Sequence, residues 1–366
     1  MQKHYISLAI IALFSCLSQF AIDIYTPSLP AIATYFGVSL NLVQWSITIY
    51  AIGLSISMLI YGPLSEIFGR RKPLLCGLCL MLVGSLICAL ANDMTTLIIG
   101  RLVQGLGAGA IAVLWRAIMR DLFSGDTLAK YLSYLSPLIV GIMALAPLLG
   151  GYFQHYLSWR ASFVFLLAYA LICIVLILCQ YTETSQHHTT NRLKLSFVTT
   201  AFREILSNRV FIGYASCVFL TFGAYFCWFI IGPVIIIHLL HISSIQFGWI
   251  NATALLIMTP LGSMVNARLV QRFHGHNMMC CGFSIIMLAG LALLISHLFF
   301  HLNIQSVVLA VFLLNFGVAF IWINASAGAM TPFGHIAGFA ATLYSFIQYS
   351  GGALIGSLLA YIPDHS

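Results

Sequence analysis

Apolar runs of about 20 residues recur from one end of this chain to the other. A helix of that length crosses the hydrocarbon core of a bilayer. Because the runs are continuous and do not alternate with a period of two residues, they predict membrane helices rather than the strands of a barrel. We predict eleven spans, near residues 5–26, 42–61, 73–91, 95–119, 130–151, 159–180, 209–231, 245–267, 278–300, 303–325 and 337–361.

The composition agrees with this pattern. Hydrophobic residues make up 61% of the 366 residues and charged residues 6%, whereas a soluble domain carries about 25% charged residues. So few charges cannot cover a water-soluble surface, and a soluble fold is therefore excluded. We predict an all-α integral membrane protein. The first apolar run starts after Met1–His4 and has no clear cleavage site, so we interpret it as a retained first span.

The basic residues are distributed unevenly between the predicted loops. With the N-terminus in the cytoplasm, thirteen of the fifteen Lys and Arg residues lie on the cytoplasmic side. The exceptions are Arg160, at the outer edge, and Arg101, inside the fourth span. Cytoplasmic loops carry the excess of positive charge in membrane proteins. The net charge of +7 therefore indicates topology, and we expect no nucleic-acid partner.

The most polar stretch, residues 181–208, separates six predicted spans from five. We expect an N-terminal six-helix bundle over 1–180, a cytoplasmic linker over 181–208 and a C-terminal bundle of five helices over 209–366. The segment 62–72 after the second span has a degenerate copy at 262–273 after the eighth. Parallel halves are typical of a large transporter class whose substrate site lies near the midplane between them. A twelfth helix would have to follow Ser366, so we expect it to be missing or truncated.

Four segments together resemble one transporter family. Residues 62–74 read GPLSEIFGRRKPL and resemble the signature of the major facilitator superfamily between spans two and three. Residues 101–110, 146–151 and 21–30 agree with further motifs of its drug:proton antiporter branch, most similar to Bcr/CflA-type multidrug resistance transporters. The sequence departs at Glu66, where the family usually has Asp, and at Ala146, where it often has Gly. The resemblance implies a two-bundle fold and export of small amphipathic compounds in exchange for protons by alternating access.

The resemblance also implies residues that control conformational change. In the loop after span two, the acid Glu66 is expected to dock near the N-terminal end of span eleven, where the helix dipole favours a carboxylate. The alternative is that the basic residues there only fix topology. Pro147 and the glycines after it let span five bend and pack closely, although ordinary helix packing explains them as well. The full set of these positions is Gly62, Glu66, Gly69, Arg70, Arg71, Gln104, Gly105, Pro147, Gly150 and Gly151.

Proton coupling needs an ionisable group inside the membrane whose pKa can approach physiological pH. Asp23 is the only carboxylate, and Arg101 the only guanidinium, that we place within a predicted span. Counted from the outer ends of their spans, they lie about 6 Å and about 9 Å deep. We predict that Asp23 exchanges the proton and that Arg101 is its switching partner. Two alternatives stay open: a static buried ion pair, or an Asp23 that faces the outer headgroups and caps irregular backbone near Pro27.

A pocket for amphipathic compounds needs apolar and aromatic walls with a few polar groups. We predict that Tyr50, Tyr225 and Trp228 contact the substrate. Further candidates are Asn251, Asn315, Trp322, Asn324, Gln348 and Tyr349. Positions that face lipid, the membrane interface or a neighbouring helix are the alternative for each of them.

The chain shows no nucleophile with a neighbouring base and no phosphate-binding loop. Its histidines, such as His297 and His301 four residues apart, have no Cys or carboxylate at ligand spacing. We therefore predict a protein that is not an enzyme and has no metal and no cofactor. Its partners would be amphipathic small molecules, protons and the lipid bilayer, and we expect a monomer in a bacterial inner membrane with a cytoplasmic N-terminus. Two rival functions remain: an exporter of one metabolite, such as a sugar or amino-acid derivative, and a truncated membrane protein that no longer transports.

Overall fold

A computed structural model describes residues 2–123, 125–184, 195–299 and 302–359, and these residues form helices and no strand. The first part of the chain contains α1 (Gln2–Asp23), a 3₁₀ turn (Thr26–Ser28), α2 (Leu29–Phe36), α3 (Leu40–Phe68), α4 (Arg71–Ala89), α5 (Met94–Leu122), α6 (Gly125–Tyr156) and α7 (Trp159–Gln180).

The second part begins with a short helix and continues with long ones. It contains α8 (Leu195–Ser207), α9 (Arg209–Pro233), a π-helical turn (Val234–Leu239), α10 (Ser244–Thr253), a second π-helical turn (Ala254–Met258), α11 (Thr259–Phe299), α12 (Ile304–Met330), a 3₁₀ turn (Thr331–Ile336) and α13 (Ala337–Leu359).

Each of the eleven predicted spans overlaps a helical segment of this structure, and those near 245–267 and 278–300 fall within one continuous helical stretch. Within the described ranges, eight helical stretches are long and apolar enough to cross a membrane. One of them, Ser244–Phe299, has 56 residues, or about 84 Å at 1.5 Å per residue, more than twice the hydrocarbon thickness. This stretch changes direction at His274, whose φ of 61° and ψ of 153° are not helical. The break accounts for two predicted spans, and the all-helical membrane fold is confirmed.

Polar side chains fix where several helices begin. The side chains of Ser39, Asp93, Asn208, Ser243 and Asn303 each accept a hydrogen bond from a backbone N–H group in the first turn that follows. These N-caps satisfy donors that have no partner inside the helix. The local sequence therefore sets the ends of these spans at the membrane surface.

The long helices alternate in direction, which gives the bundle two sides. We call the side where α3 and α7 end and α13 begins the linker side. The opposite side, with Pro27 and the connection between Leu239 and Ser244, is the far side. The two most extensive contacts between the first and second parts of the chain are those of α3 along α13 and of α6 against α10.

The α3–α13 contact runs along the full length of both helices. A methyl group on Gly62 would lie 3.1 Å from the hydroxyl oxygen of Thr342 at the linker side. A methyl group on Gly356 would lie 2.6 Å from the hydroxyl oxygen of Thr48 at the far side. Small residues at such positions let membrane helices approach closely. The two parts of the chain therefore share one continuous interface.

The predicted linker, residues 181–208, is only partly an extended connection. Residues 185–194, which include His187 and Arg192, lie outside the described residues. Residues 195–207 form α8, whose Ala201 and Ile205 are buried in one cluster with Phe211 and Phe333. The sequence pattern missed this helix because its apolar side covers only a few positions among polar ones.

Candidate functional site

Asp23 is the last residue of α1, and its side chain is 3% exposed. The side-chain amide of Gln19, one turn earlier, donates a hydrogen bond to Asp23 Oδ1 at 3.3 Å. The hydroxyl group of Thr26 donates to the backbone carbonyl of Asp23 at 2.9 Å and stabilises the end of the helix. The Asp23 carboxylate therefore lies inside the protein and does not face the headgroup region in this conformation.

The surroundings of Asp23 come from both parts of the chain. The carbonyl oxygen of the Gln19 side chain accepts a hydrogen bond from the Tyr349 hydroxyl of α13 at 3.3 Å. Tyr50 of α3, Tyr225 of α9 and Tyr349 all lie within electrostatic range of Asp23. The acid consequently lies where α1 meets the second part of the chain, and Gln19 connects it to α13.

Arg101 of α5 is fully buried, with 0% exposure. Its Nη1 donates to the backbone carbonyl of Ala21 at 3.0 Å and to the side-chain oxygen of Gln104 at 2.8 Å. Its Nε donates to the backbone carbonyl of Ser46 at 3.4 Å. The side-chain amide of Gln104 in turn donates to the Ser85 hydroxyl at 2.7 Å. Arg101 and Gln104 thus join α1, α3, α4 and α5.

Two tyrosine rings cover the Arg101 guanidinium. Its central carbon lies 4.3 Å from the ring centroid of Tyr50 and 5.0 Å from that of Tyr25. Desolvated cation–π contacts of this kind stabilise a buried cation. The Tyr50 hydroxyl donates to the backbone carbonyl of Ser18 at 2.5 Å. Tyr50, which we predicted to contact the substrate, is therefore packed between α1 and Arg101 and is 0% exposed.

The Arg101 guanidinium of α5 lies beside the turn of α1 that carries Asp23, but the two side chains form no ion pair. Among the described residues, the ion pairs within 4.0 Å join Arg70 to Glu66 and to Asp121. The Arg101 guanidinium instead binds the carbonyl of Ala21, two residues before Asp23. Its Nη2 is buried and has no hydrogen-bond partner in the described part of the chain.

Arg70 is the centre of a charged cluster in the loop between α3 and α4. Its Nε and Nη2 donate to the two carboxylate oxygens of Asp121 at 2.7 and 3.4 Å, a bidentate arrangement. Its Nη1 donates to Glu66 and to the Ser65 hydroxyl, both at 2.7 Å. Burial by itself lowers the pKa of Arg70, but the hydrogen bonds to Asp121 and the charges of both acids outweigh it and leave the pKa raised.

Glu183, just after α7, binds the backbone of the same loop. The N–H groups of Arg70 and Arg71 donate to its two carboxylate oxygens at 2.8 and 3.0 Å. Gly69 has a φ of +78°, and its missing side chain leaves the space that the Glu183 carboxylate occupies. The Arg71 guanidinium donates to the carbonyl of Leu178 at 2.9 Å, so α7 and the loop are joined twice.

Asp121 and Glu183 belong to none of the sequence motifs described above. Both are acids that directly follow a predicted span on the same side of the membrane as the basic loop. That position was the available signal. Glu66 itself lies beside the first turns of α13, because one narrow cleft is lined by Glu66 and Arg70 together with Gly338 and Thr342.

The glycines of span five lie at two close helix contacts on the far side. A side chain on Gly150 would collide with the backbone carbonyl of Ile24, directly after Asp23. A side chain on Gly151 would collide with the carbonyl of Ser244 on α10. The Ser244 hydroxyl donates to the carbonyl of Gly151 at 3.1 Å. Close by, a methyl group on Gly248 would lie 2.7 Å from the carbonyl oxygen of Pro147.

The other predicted substrate contacts lie on α9, and both are 8% exposed. Tyr225 packs against Trp322 of α12, with ring centroids 5.5 Å apart. The indole nitrogen of Trp228 donates to the side-chain oxygen of Asn251 at 2.7 Å, and its ring stacks on Phe247. Tyr225 thus lies on the side of Asp23, whereas Trp228 faces α10.

Comparison with known proteins identifies the family. The sequence profile of the Major Facilitator Superfamily matches residues 11–356. A bicyclomycin resistance protein homolog from Haemophilus influenzae is 28% identical over 97% of this chain and 89% of its own length. Multidrug resistance protein D from Escherichia coli is 26% identical over 99% of this chain and 90% of its own length.

The solved structures agree in fold. The inward-open xylose transporter XylE from E. coli superposes with a TM-score of 0.73, covering 98% of this chain and 90% of its own, at 14% identity. The resemblance to Bcr/CflA-type transporters is confirmed, and so is the prediction that the protein is not an enzyme, because the family consists of transporters. This chain belongs to the Major Facilitator Superfamily and is a multi-pass membrane transporter.

Proposed function

We propose that this protein exports small amphipathic compounds in exchange for protons, by alternating access of two helical bundles. The observation that carries the proposal is the position of Asp23, a buried acid that Gln19 connects to Tyr349 of α13. The names of the drug-resistance relatives in Haemophilus influenzae and Escherichia coli support the substrate class. The moving bodies are residues 1–180 and 209–366, joined by residues 181–208.

Protonation of Asp23 changes the hydrogen bonds between the bundles. An ionised carboxylate only accepts hydrogen bonds, whereas a protonated one also donates. When Asp23 takes up a proton, the Gln19 side chain no longer needs to present its amide N–H to the acid and can rotate. The Gln19 amide oxygen now accepts from the Tyr349 hydroxyl. After the rotation the Gln19 amide nitrogen, which is a donor, faces Tyr349 instead. Because the Tyr349 hydroxyl can also accept, the proton reverses the direction of this hydrogen bond between α1 and α13.

Arg101 is the positioning partner of Asp23. It holds the backbone of the turn that carries Asp23, and its buried Nη2 lacks a partner. An unsatisfied buried donor is unfavourable, and more so on a charged group. In the other conformation of the cycle, Nη2 donates to the ionised Asp23 carboxylate. Substrate release and proton uptake then return Arg101 to the carbonyl contacts described above.

Contacts on both sides of the bundle support a model in which the two bundles close one side at a time. The Gly151–Ser244 contact closes the far side between α6 and α10, and the Arg70 cluster holds the loop at the linker side. By the distribution of positive charge the linker side is cytoplasmic. We infer that the protein is a monomer in the bacterial inner membrane and that its far side is closed in this conformation.

Transport by purified protein in liposomes tests the proposal. Drug efflux under an imposed pH gradient, with proton movement followed by an enclosed pH dye, is expected for the wild type. Asp23→Asn should abolish the coupling, whereas Asp93→Asn, the same change at an exposed helix cap, should leave it intact. Coupled transport that survives Asp23→Asn would remove Asp23 from the mechanism.

Arg101 variants separate charge from geometry. Arg101→Ala should stop transport, because it removes the contacts to Ala21, Ser46 and Gln104. Arg101→Lys keeps the charge but replaces the planar guanidinium fork by a single donor nitrogen, so partial coupling is expected. A panel of unrelated drugs then defines breadth: protection of cells against one compound class alone would identify an exporter of a single metabolite.

A further inference from the structure

A cavity of about 280 Å³ lies at the linker side between the two parts of the chain. Its apolar wall is formed by Val113, Leu128, Met330 and Ala341, and the hydroxyl groups of Thr342 and Ser345 provide polar points. This size and mixture of walls are typical of a site for a small amphipathic ligand. The cavity lies on the side that we propose to be cytoplasmic.

Two arginines of α5 supply the charge of this cavity. Arg116 and Arg120 are four residues apart, so they project from one face of the helix. Both side chains are exposed, although the residues between them are buried: Ala117 is 4% exposed, and Ile118 and Met119 are 0% exposed. Both arginines therefore line the cavity with side chains that are accessible to solvent.

The acids close to these arginines are already engaged. Glu66 and Asp121, which interact electrostatically with Arg120, both bind Arg70. In the described part of the chain no carboxylate forms an ion pair with Arg116 or Arg120, and no described residue that lines the cavity is acidic. Low-dielectric walls concentrate the field of such unpaired charges.

We propose that this cavity is the entry site for amphipathic anions, compounds with a carboxylate, sulfonate or phosphate group beside an apolar body. The guanidinium groups of Arg116 and Arg120 bind the acidic group, as arginine does at carboxylate and phosphate sites. The apolar wall takes the remainder of the molecule. This inference rests on the proposed export function and narrows its substrates, because the same field disfavours cationic drugs.

The substrate charge has an energetic consequence for exchange. One proton entering for one monovalent anion leaving moves two positive charges inward, so the membrane potential drives the exchange twice over. Exchange of a proton for a monovalent cation moves no net charge. An imposed potential, negative inside, should therefore accelerate export of the anion and leave export of a cation unchanged.

A binding measurement in lipid nanodiscs tests the site without requiring transport. Fluorescein, an anion at pH 7.5, and rhodamine 123, a cation, share the same xanthene ring system. Fluorescence anisotropy should show that fluorescein binds the wild type more tightly than rhodamine 123. Arg116→Gln and Arg120→Gln should each weaken fluorescein binding at least tenfold, and Arg116→Lys should retain most of it.

Arg272→Gln is the matched control. Arg116 is exposed and lies over the adjacent ring of Trp115, 4.6 Å from its centroid. Arg272 is likewise exposed and lies over the adjacent ring of Phe273, 5.6 Å from its centroid, but it does not line the cavity. The affinity of the Arg272→Gln variant for fluorescein should equal that of the wild type. Size-exclusion profiles identify any variant that fails to fold, and Arg116→Lys then carries the comparison.

The outcomes distinguish the anion site from the exporter. Equal fluorescein binding by wild type and Arg116→Gln, absent fluorescein binding, or a preference for rhodamine 123 would overturn the anion site, while proton-driven drug efflux would still support the exporter. Arginine-dependent fluorescein binding without proton-driven efflux would establish the site and refute the exporter.

Discussion

The two related segments begin alike and then differ in charge. Residues 62–72, which we call the first loop, contain the end of α3, and residues 262–273, which we call the second loop, are helical and lie in α11 before the break at His274. In both, the first glycine lies against a neighbouring helix: Gly62 against Thr342, and Gly262 against the carbonyl of Phe316. Four residues later, the first loop has Glu66, which binds Arg70. The second has a neutral residue, Asn266, at the same position.

Asn266 is bound by another amide, because its side-chain oxygen accepts from the Asn324 side chain of α12 at 2.7 Å. The same contrast recurs at helix starts: Asp93 caps α5, whereas Asn303 caps α12. A carboxylate responds to protons and to opposite charges, whereas an amide keeps its hydrogen bonds at every pH. Charge-dependent contacts are therefore concentrated in the first half, and the second half keeps the geometry without the charge.

Removing the central charge of the first loop should have the largest effect. Arg70→Ala leaves Asp121 and Glu66 without their partner, and we expect a loss of about 3 kcal/mol in the free energy of unfolding, with loss of transport. Thermal unfolding in detergent and efflux from liposomes measure both. Arg268→Ala, in the second loop at an exposed position, should change stability by less than about 0.5 kcal/mol. Similar losses for both variants would contradict the contrast.

Each of the two segments ends near a residue with a positive φ, Gly69 and His274, and substitutions at these two residues should change stability in opposite directions. Gly69→Ala forces a side chain into a positive φ and into the Glu183 carboxylate, and should destabilise by about 2 kcal/mol. His274 adopts a φ of 61° that favours glycine, so His274→Gly should stabilise by about 1 kcal/mol. Thermal melting of both variants beside the wild type measures the difference. A loss of stability in His274→Gly would show that the histidine side chain outweighs the strain.

Removing the acidic charge of the first loop should make its contacts more similar to the neutral contacts of the second. Glu66→Gln keeps a hydrogen bond to Arg70 but removes the ion pair. Because the Glu66 side chain is 35% exposed, we expect a stability loss of only about 0.5 kcal/mol. The transport rate should change more than stability, since the docking of Glu66 beside the first turns of α13 depends on charge. An efflux rate equal to that of the wild type would leave Glu66 a purely structural residue.

Asp93 offers the smallest effect and a pH test. The backbone N–H and hydroxyl of Thr96 donate to its carboxylate and lower the pKa of Asp93 below 3.8. The stabilisation is therefore present above that ordinary value and is lost as the pH falls through the lowered pKa. Asp93→Asn should melt like the wild type at pH 7, because both residues cap well.

At pH 3 the melting temperatures of the wild type and of Asp93→Asn should differ. The wild type is expected to lose the contribution of the ionised cap as the pH approaches the lowered pKa, whereas the asparagine variant keeps its cap. Asn303→Asp is the reciprocal change and should introduce this acid sensitivity into the second half. Identical pH profiles for all three proteins would show that the caps contribute nothing to the contrast.

Much of the site was predictable as a set of residues but not as a set of contacts. The sequence singled out Asp23 and Arg101 by their rarity inside apolar runs, and both are buried. It did not show that Arg101 binds a carbonyl of α1 instead of the acid, or that Tyr50 covers the guanidinium. Rarity and burial depend on the residue and its span, whereas a partner depends on how each helix is rotated about its axis.

The sequence by itself determined that the chain lies in lipid and where its membrane helices are, because the length of an apolar run and a capping residue are local properties. Its motifs also determined the family. It also determined the repeated loop, since a copied pattern survives in the letters. Only the tertiary structure decided that Gln19 contacts Tyr349, 330 residues away, that Glu183 holds the first loop, and that Arg116 and Arg120 face a cavity. Those contacts arise where helices that are distant in the chain pack together, and no local pattern specifies which faces meet.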